Sequence, residues 1–369
     1  MRISVPKEIK KHEYRVSMTP DAVAECVAFD HEVWVETLAG EGVGFDDADY
    51  IEAGAKIAGS ASETFDKGEL IVKVKEPQLH ECAMLRPDQT LFTYLHLAAD
   101  KPQAEALCKS GCIAIAYETV TDRFGRLPLL SPMSEVAGRM SVQVGAAALE
   151  RHNGGRGLLL GGVPGVLPAK VVILGGGVSG THAAQMAIGM RADVTLFDIS
   201  DKRLDELDQI YGGRLKTAYS TRSAVAKAVM EADLIIGAVL IPGAVAPKLV
   251  TADMVKTMQP GAVLVDIAID QGGCFETSRP TTHDEPTFIV DGIVHYCVAN
   301  MPGAVARTSA MALGKATLPF IWRLAKGGIK DTLRDDPHLA AGLNVADGYI
   351  AYEPVARDLD MEFRTPDWL

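Results

Sequence analysis

The sequence predicts an α/β protein with two Rossmann-like domains, each built on a parallel sheet, and a cleft between them. Two observations support this prediction. Short apolar runs of strand length alternate with helix-compatible stretches in both halves of the chain, which is typical of parallel sheets with helical crossovers. In the second half, one such run is followed by the G-x-G-x-x-G spacing of dinucleotide-binding folds. With 369 residues, the chain has room for two separate cores.

The dinucleotide fingerprint follows an apolar run at 171–174 that predicts a buried strand. Gly175, Gly177 and Gly180 come next at the required spacing, and a helix-compatible run follows them. The first glycine allows a tight turn, the second lets the backbone approach a pyrophosphate, and the third lets helix and strand pack closely. The free N–H groups and the dipole at the start of that helix favour an anion. This segment therefore predicts a dinucleotide site.

The acid that ends the next strand indicates which dinucleotide binds. The apolar run 194–197 leads into Asp198, which is placed to accept hydrogen bonds from a ribose diol. Because a carboxylate at this position repels a 2′-phosphate, we expect NAD rather than NADP. The alternative is a glycine-rich turn in a non-binding α/β protein. The flanking strands and the acid at this distance argue against it.

Charge and composition exclude several classes of protein. A net charge of −12 argues against nonspecific nucleic-acid binding. The N-terminal run MRISVPKEIKKHEYRV is charged where a signal peptide needs an apolar region, and no apolar run reaches membrane-spanning length. The scattered cysteines lack zinc-site spacing, which predicts buried free thiols in a reducing compartment. We therefore expect a cytoplasmic protein with no nucleic-acid or membrane partner. The cysteines are Cys26, Cys82, Cys108, Cys112, Cys274 and Cys297.

The first domain is predicted from strands and helices that alternate without a glycine fingerprint. A short strand spans 2–6, and Thr19-Pro20-Asp21 is a good helix start. This pattern predicts a second Rossmann-like sheet. Further strand candidates lie at 32–36, 70–74, 90–95 and 112–117, and helix-compatible stretches lie at 47–53, 60–66, 79–84 and 101–109.

A crossing segment at 126–132 leads into the second domain. The helix-compatible run 134–152 comes after it, rich in small residues that permit close packing, and Asn153-Gly154-Gly155 ends it. A helix from about 304 to 324 is apolar nearly all round, which indicates a buried helix. The later strands are predicted at 234–239, 262–267, 287–290 and 293–297, the last two as a hairpin around Asp291-Gly292.

The C-terminal tail decides the predicted domain organisation. Residues 344–356 contain the turn Asp347-Gly348 and then an extended run, 349–356, that has no place in the dinucleotide sheet. We therefore assign the tail to the first domain. Two crossings of the chain would then form a hinge beside the cleft. The predicted domains are a discontinuous substrate domain, 1–128 plus 307–369, and an NAD-binding domain, 129–306.

Four polar residues are candidates for catalysis, because open α/β sheets bind ligands beyond the carboxyl ends of their strands. Lys75, His96 and Asp270 each come after a predicted strand, and Arg15 lies in the loop after the first strand. Each has a simpler explanation: a solvated surface charge for Arg15 or Lys75, a core histidine for His96, a turn acid for Asp270. Together they supply a carboxylate clamp, a carbonyl polariser, a titrating base and a second acid/base. That set fits an oxidoreductase of amino or hydroxy acids.

Beyond these local patterns, the sequence resembles the alanine dehydrogenase family, which includes transhydrogenase alpha subunits, over essentially its whole length. The resemblance implies reversible oxidative deamination of L-alanine to pyruvate and ammonia with NAD, by a homohexamer. The matching segments, in order, are VPKEIKKHEYRVSMTP, IVKVKEPQ, LFTYLHLA, SPMSEVAGRMSVQVGA, VVILGGGVSG, DIAIDQGG, VHYCVANMPGAV and NVADGYIAYEPVA.

The same resemblance implies roles for individual residues. Arg15 and Lys75 would bind the carboxylate and the oxygen of the substrate. His96 would be the acid/base, and Asp270 would also serve catalysis. The residues implied to line the NAD site, with the fingerprint glycines, are Ser134, Gly175, Gly177, Val178, Gly180, Asp198, Arg203, Ser220, Val239, Leu240, Ile267, Asp270, Arg279, Val298, Asn300 and Met301.

Two departures from the family pattern bear on ligands. Val178 stands where relatives often have alanine. This change is small, so we still expect NAD to bind. Some relatives bind magnesium through an acid and a histidine in the helix after the hinge. Arg323 and Gly327 occupy that neighbourhood here, so we expect no metal.

Two other functions are compatible with parts of the sequence. One is the soluble hydride-handling domain of a proton-translocating transhydrogenase, which would need a membrane partner and would not need Lys75 or His96. The other is a non-enzymatic NAD-binding regulator, which would leave the four polar residues without a role. The substrate range also stays open, because a small pocket could accept serine or glycine analogues or reduce glyoxylate.

Overall fold

The computed structural model describes residues 1–239 and 246–369, which form two compact units. Unit 1 combines residues 1–133 with 305–369, and unit 2 spans 134–304. Each unit is built on a mostly parallel sheet with helical connections, so the predicted α/β class with two such sheets is confirmed. The functions assigned to the two domains remain predictions.

Most described strands and helices fall where the sequence places them. The strands are β1 (Arg2–Val5), β2 (Glu32–Glu36), β3 (Lys56–Ala58), β4 (Leu70–Val72), β5 (Thr90–Thr93), β6 (Ile113–Ala116), β7 (Lys170–Leu174), β8 (Asp193–Asp198), β9 (Lys216–Tyr219), β10 (Leu234–Gly237), β11 (Val263–Asp266), β12 (Thr287–Val290), β13 (Ile293–Tyr296), β14 (Leu343–Ala346) and β15 (Tyr349–Ile350). The α-helices are α1 (Pro20–Ala28), α2 (Asp47–Glu52), α3 (Ala61–Lys67), α4 (Leu79–Cys82), α5 (Lys101–Ser110), α6 (Ser131–Ala148), α7 (Val178–Gly189), α8 (Asp201–Tyr211), α9 (Arg222–Glu231), α10 (Ala252–Lys256), α11 (Ala306–Gly327), α12 (Ile329–Asp335), α13 (Pro337–Ala340) and α14 (Glu353–Leu359).

Unit 1 has the sheet order β15-β14-β6-β5-β4-β1-β2-β3, parallel from β3 to β6. The tail joins this sheet, since β14 pairs antiparallel with β6 and β15 with β14. The extended conformation predicted for 349–356 is wrong from Glu353 onward, where α14 begins, whereas Tyr352 just before it is extended. Pro354 in its first turn is compatible with a helix start, and Val355 and Ala356 bury the helix face. The short strand β3 was not predicted.

Unit 2 has the order β12-β13-β11-β10-β7-β8-β9, parallel except for β12. The strand order therefore reverses between β7 and β10, where such sheets bind ligands. The predicted hairpin is confirmed: β12 and β13 pair antiparallel around Asp291 and Gly292, with φ 51° and 78°. Positive φ at both turn residues gives the twist that matches paired strands.

Two long helices differ from their predictions. The helix predicted at 134–152 is α6, which begins inside the predicted crossing segment and stops at Ala148; a separate 3₁₀ turn covers Arg151–Asn153. The helix predicted to be buried, because its residues are apolar nearly all round, is α11, which buries one face. Its buried positions recur at helical spacing, while Arg307, Lys315 and Arg323 lie on the other side, outside the buried set. These charges make the helix amphipathic despite its many apolar residues.

Five of the six cysteines are buried and Cys108 is half-buried, which nearly matches the prediction of buried thiols. Burial raises the pKa of Cys82 and of Cys274 to about 12, so both stay neutral near pH 7. A neutral, buried thiol is a poor nucleophile. Among the helices of residues 1–239 and 246–369, none is long and apolar enough to cross a membrane.

Candidate functional site

Unit 1 brings three of the four predicted polar residues to one edge of its sheet. Arg15 lies in the loop after β1, Lys75 lies just beyond β4, and His96 lies just beyond β5. Because β1, β4 and β5 are adjacent parallel strands, their carboxyl ends share this edge. Parallel sheets of this kind place ligands at that edge.

Arg15 is a buried, paired cation rather than the solvated surface charge that was its simpler explanation. Its side chain is 2% exposed, and its Nε and Nη2 donate to the two carboxylate oxygens of Glu13 at 2.6 and 2.5 Å. Nη1 contacts the Met133 Sδ at 3.0 Å. Burial would lower the pKa of Arg15, but the bound Glu13 more than offsets this and raises it. Glu13 was missed, although it stands two residues before Arg15.

Lys75 is held through its backbone. Its N–H lies 3.3 Å from the Glu8 Oε1, and its carbonyl accepts a hydrogen bond from the Thr93 hydroxyl at 3.0 Å. The side chain is half-buried. Burial would raise the pKa of Glu76, but the positive charges of Lys75 and Lys10 lower it overall. Lys75 is thus a cation on a fixed backbone at the edge of the sheet.

His96 is not a core histidine. Its side chain is 49% exposed, and its backbone adopts a left-handed conformation with φ 49° and ψ 37°. The Glu118 carboxylate accepts the His96 N–H at 2.6 Å, and the same oxygen lies 3.9 Å from the imidazole Nδ1. A left-handed conformation is uncommon outside glycine and persists where the surroundings fix it. Glu118 supplies that restraint, and the sequence interpretation missed it.

Tyr94 stacks on His96 and lies within electrostatic range of Arg15. Its ring stacks on the His96 imidazole with centroids 5.8 Å apart, and its hydroxyl donates to the Leu129 carbonyl at 2.6 Å. Burial raises the pKa of Tyr94 well above its usual range, and the positive charge of Arg15 only partly opposes this. Tyr94 is therefore a neutral, fixed ring beside the two predicted functional groups. It lies in the LFTYLHLA segment, where the sequence interpretation gave it no role.

In unit 2, the glycine fingerprint forms the tight turn and the close helix–strand packing that its spacing predicts. Gly175 has φ 103°, and a Cβ there would lie 2.9 Å from the Val239 Cγ2 that comes after β10. A Cβ on Gly180 would lie 1.8 Å from the Gly175 carbonyl oxygen. Gly177 caps α7, whose first residue, Val178, is exposed. The loop thus presents the N-terminus of α7 at the position where the strand order reverses, which suits a pyrophosphate.

Asp198 and Arg203 shape the same loop. Asp198 ends β8 and accepts the Gly176 N–H at 2.6 Å and the Ser200 N–H at 2.9 Å. Arg203 donates from Nε to the Gly176 carbonyl at 2.7 Å. Asp198 is half-buried, and its hydrogen bond to Gly176 holds its carboxylate beside the glycine loop. The position is compatible with the ribose contact that the sequence predicts.

The other residues predicted for the NAD site mostly lie just beyond strands of the unit 2 sheet. Ser134 instead lies on α6, and Arg279 lies over the Phe288 ring with its guanidinium carbon 4.3 Å from the centroid. Leu240 falls outside the described residues. Those beyond strand ends are Ser220 after β9, Val239 after β10, Ile267 and Asp270 after β11, and Val298, Asn300 and Met301 after β13.

A buried acid that was not predicted supports the loop of Asp270. Asp266 ends β11 and is fully buried; it accepts the Cys274 N–H at 2.9 Å and the Ser278 hydroxyl at 2.5 Å. Burial raises the pKa of Asp266 despite these hydrogen bonds. Asp270 itself is exposed on a single 3₁₀ turn, Ile269–Gln271. The motif DIAIDQGG therefore contains one structural acid and one accessible acid.

An ion pair lies near the end of α11, in the region where some relatives bind magnesium and where we expect no metal. Arg323 pairs with Asp336, and Gly327 is the last residue of α11. Within the described ranges, no group of three or more His, Cys, Asp or Glu side chains is arranged to hold a metal ion.

These features define a class: an α/β protein in which one unit carries the glycine fingerprint of dinucleotide-binding folds and a second Rossmann-like unit carries a charged site. Family models narrow it further. Residues 4–137 match the alanine dehydrogenase/PNT N-terminal domain, and residues 141–353 match the C-terminal domain of the same family. The chain belongs to the alanine dehydrogenase/PNT family, as its resemblance implied.

Individual relatives agree with this family. An alanine dehydrogenase of Halomonas elongata is 59% identical over 363 residues, covering 98% of each chain. A solved L-alanine dehydrogenase structure is 52% identical with a TM-score of 0.95, covering 98% of this chain and 99% of that one. A transhydrogenase structure from Sinorhizobium meliloti has a TM-score of 0.81 at 24% identity, covering 95% of this chain and 99% of that one; this likeness concerns the fold alone.

Proposed function

We propose that this protein is an NAD-dependent L-alanine dehydrogenase, which interconverts L-alanine with pyruvate and ammonia. The observation that carries the proposal is the placement of Arg15, Lys75 and His96 at the carboxyl edge of one sheet. The 59% identity to an alanine dehydrogenase supports this reaction over other oxidations of amino or hydroxy acids.

Arg15 is proposed to bind the substrate carboxylate. Its planar guanidinium matches a carboxylate in a way that the point charge of a lysine cannot. Glu13 keeps Arg15 charged in a buried setting and fixes its orientation through two hydrogen bonds. Because Glu13 already balances one positive charge, Lys75 supplies the additional cation that an anionic substrate needs.

Lys75 and His96 are proposed to act on the reacting carbon's substituents. After hydride transfer, water adds to the iminium of the substrate to give a carbinolamine. Lys75 stabilises the negative charge that develops on the carbinolamine oxygen as its proton leaves and ammonia is expelled. His96 holds or removes the proton on that oxygen, and its ring is oriented by Glu118 and Tyr94. Asp270 is proposed to assist the water and ammonia steps. NAD, when bound, would accept the hydride that leaves the substrate carbon.

The unit 2 residues fit NAD. The Gly180 position excludes any side chain, Gly177 opens α7, and the free N–H groups there favour a pyrophosphate. Asp198 places a negative charge where a 2′-phosphate would come, which favours NAD over NADP. We propose that the residues predicted for this site, from Ser134 to Met301, line that cofactor.

Self-association as a homohexamer in the cytoplasm is also part of the proposal. An apolar surface supports it: Leu159, Val163, Val166 and Leu167 are all exposed on one short segment. Exposed apolar residues this concentrated commonly mark a protein interface. Light scattering that returned a stable monomer would contradict the hexamer without affecting the proposed reaction.

The decisive assay measures NADH oxidation with pyruvate and ammonia together. We expect turnover that needs all three reactants, and the reverse reaction with L-alanine and NAD. An NAD-binding regulator would bind NADH without turnover. A transhydrogenase component would transfer hydride between nucleotides and ignore pyruvate. A panel of 2-oxo acids that includes glyoxylate would then define the substrate range.

A further inference from the structure

A buried charged cluster lies next to the predicted substrate site. It consists of Glu8, in the loop after β1, Lys73, just after β4, and Glu81 on α4. The Lys73 side chain has no exposed surface, and each carboxylate side chain is 3% exposed. Lys73 Nζ lies 3.3 Å from the Glu8 Oε2 and 2.9 Å from the Glu81 Oε1.

Stability does not explain why charged groups occupy this position. Moving ions out of water is strongly disfavoured, and apolar residues of similar volume often serve a core equally well or better. The cluster also contains two carboxylates for one ammonium. Burial raises the pKa of Glu8, with Lys73 opposing the shift. Burial would lower the pKa of Lys73, but the two carboxylates raise it. A role beyond packing is therefore needed.

The two carboxylates differ in what their second oxygen holds. The Glu8 Oε1 accepts the Val74 N–H at 2.7 Å and lies 3.3 Å from the Lys75 nitrogen. The Glu81 Oε2 instead accepts the Gln78 N–H at 2.8 Å and caps α4. Only the Glu8 contact, of these two, reaches the backbone of the predicted substrate-binding lysine.

The loop of Glu8 is also the loop of Arg15. A second contact joins the loop after β1 to the loop after β4, because Lys10 forms an ion pair with Glu76. This pair is partly exposed at Lys10, whereas the Glu8 contact is buried. A buried contact is screened much less by salt than an exposed one. The Glu8 contact is therefore less screened by solvent ions than the contact between Lys10 and Glu76.

We propose that Glu8 is a positioning residue for the substrate site: its carboxylate, held by Lys73, fixes the Lys75 backbone relative to the loop that carries Arg15. The inference rests on the proposed function of Arg15 and Lys75 as the clamp for a short 2-oxo acid. It makes Glu8 a determinant of how well that clamp matches the substrate, without direct contact to the substrate.

The test compares Glu8→Ala, Glu8→Gln and the matched control Glu81→Gln. Glu8→Ala removes the acceptor for both backbone N–H groups, so kcat/KM for pyruvate should fall on the order of 10²-fold, chiefly through KM. Glu8→Gln keeps one carbonyl oxygen and should recover part of that loss. Glu81→Gln disturbs the same lysine and should lower the melting temperature while leaving KM for pyruvate near wild type. KM for NADH should not change in any variant.

Amide hydrogen exchange gives a readout that does not depend on turnover. Exchange at Val74 and Lys75 should quicken in Glu8→Ala and stay slow in Glu81→Gln. Equal changes in KM and exchange for the Glu8 and Glu81 variants would overturn the positioning role, as would unchanged exchange in Glu8→Ala. If Glu8→Ala does not fold, Glu8→Gln against Glu81→Gln decides by the same measurements. Wild-type protein without pyruvate turnover would instead overturn the proposed function, so the two failures are distinguishable.

Discussion

The two units share a strand order and differ in the loop that leaves the first strand of each sheet. Unit 1 runs β3-β2-β1-β4-β5-β6, and unit 2 runs β9-β8-β7-β10-β11-β13, both reversing beside their first strand. After β7 comes the tight turn at Gly175, with no side chain in the way. After β1 comes a longer loop that carries Glu8, Glu13 and Arg15, all buried.

This difference shows two ways in which one sheet edge can meet a ligand. Unit 2 exposes backbone N–H groups, which suits the phosphates of a dinucleotide. Unit 1 presents charged side chains placed by buried acids: Glu13 pairs with the Arg15 guanidinium, and Glu8 contacts the backbone N–H of Lys75. Side-chain recognition of this kind suits a small anion, and it depends on those partners. Substitutions in each unit can therefore test the two arrangements separately.

The largest expected effect concerns proton transfer in unit 1. Replacing His96 by Ala should lower kcat by about 10²–10⁴-fold, the usual contribution of a positioned acid/base, and leave NADH affinity unchanged. Steady-state kinetics with pyruvate and ammonia, and NADH binding by fluorescence, measure both. His80→Ala is the control, since His80 is exposed on α4. If the His96→Ala variant kept near-normal turnover and an unchanged pH profile, the role of acid/base would have to be assigned to Asp270 or Lys75 instead.

The second prediction concerns the glycine loop between β7 and α7 in unit 2. In Gly180→Ala, the new Cβ would lie 1.8 Å from the Gly175 carbonyl oxygen, so the loop must shift. NADH affinity should fall, on the order of 10²-fold for a displacement near 1 Å. Gly189→Ala is the matched control on α7, because a Cβ there meets no atom within 4 Å. Equal NADH affinity in the two variants, measured by calorimetry, would contradict a binding role for this glycine.

The sequence predicted the parts of each site that are local in the chain. The G-x-G-x-x-G spacing indicated the loop of unit 2, because a tight turn needs glycine at fixed positions. The strand-end pattern indicated Lys75 and His96, since apolar runs mark where strands stop. The burial of Arg15 could not be predicted, because it depends on Glu13 and on Met133, which is remote in sequence.

The left-handed backbone of His96 was equally inaccessible from sequence. It rests on Glu118, which comes after β6 and meets His96 only because β5 and β6 are neighbours in the sheet. The one-sided burial of α11 does not follow from its many apolar residues, because their helical spacing relative to Arg307, Lys315 and Arg323 decides which face packs.

The third prediction tests whether substrate binding in unit 1 needs the planar guanidinium of Arg15 or only a positive charge at that position. Arg15→Lys keeps the positive charge but loses the paired contact, so KM for pyruvate should rise by about 10–10²-fold, the worth of a charged hydrogen bond. NADH affinity should not change. Arg15→Ala should cost more, because it removes the guanidinium that pairs with the buried Glu13 carboxylate, and about 3–5 kcal/mol of folding stability should be lost. Thermal unfolding separates these two effects. Equal KM values for Arg15→Lys and wild type would rule out bidentate recognition.

The smallest expected effect concerns cofactor choice in unit 2. The oxygens of Asp198 accept the Gly176 and Ser200 N–H groups, and we propose that its charge also repels a 2′-phosphate. Asp198→Asn keeps one acceptor oxygen and removes the charge, so discrimination against NADPH should fall on the order of tenfold, about 1.4 kcal/mol. Asp198→Ala also removes the loop contacts and should weaken NADH binding as well. The ratio of kcat/KM values for NADH and NADPH measures the first effect, and NADH affinity measures the second. If wild-type protein used NADPH as well as NADH, Asp198 would shape the loop without selecting the cofactor.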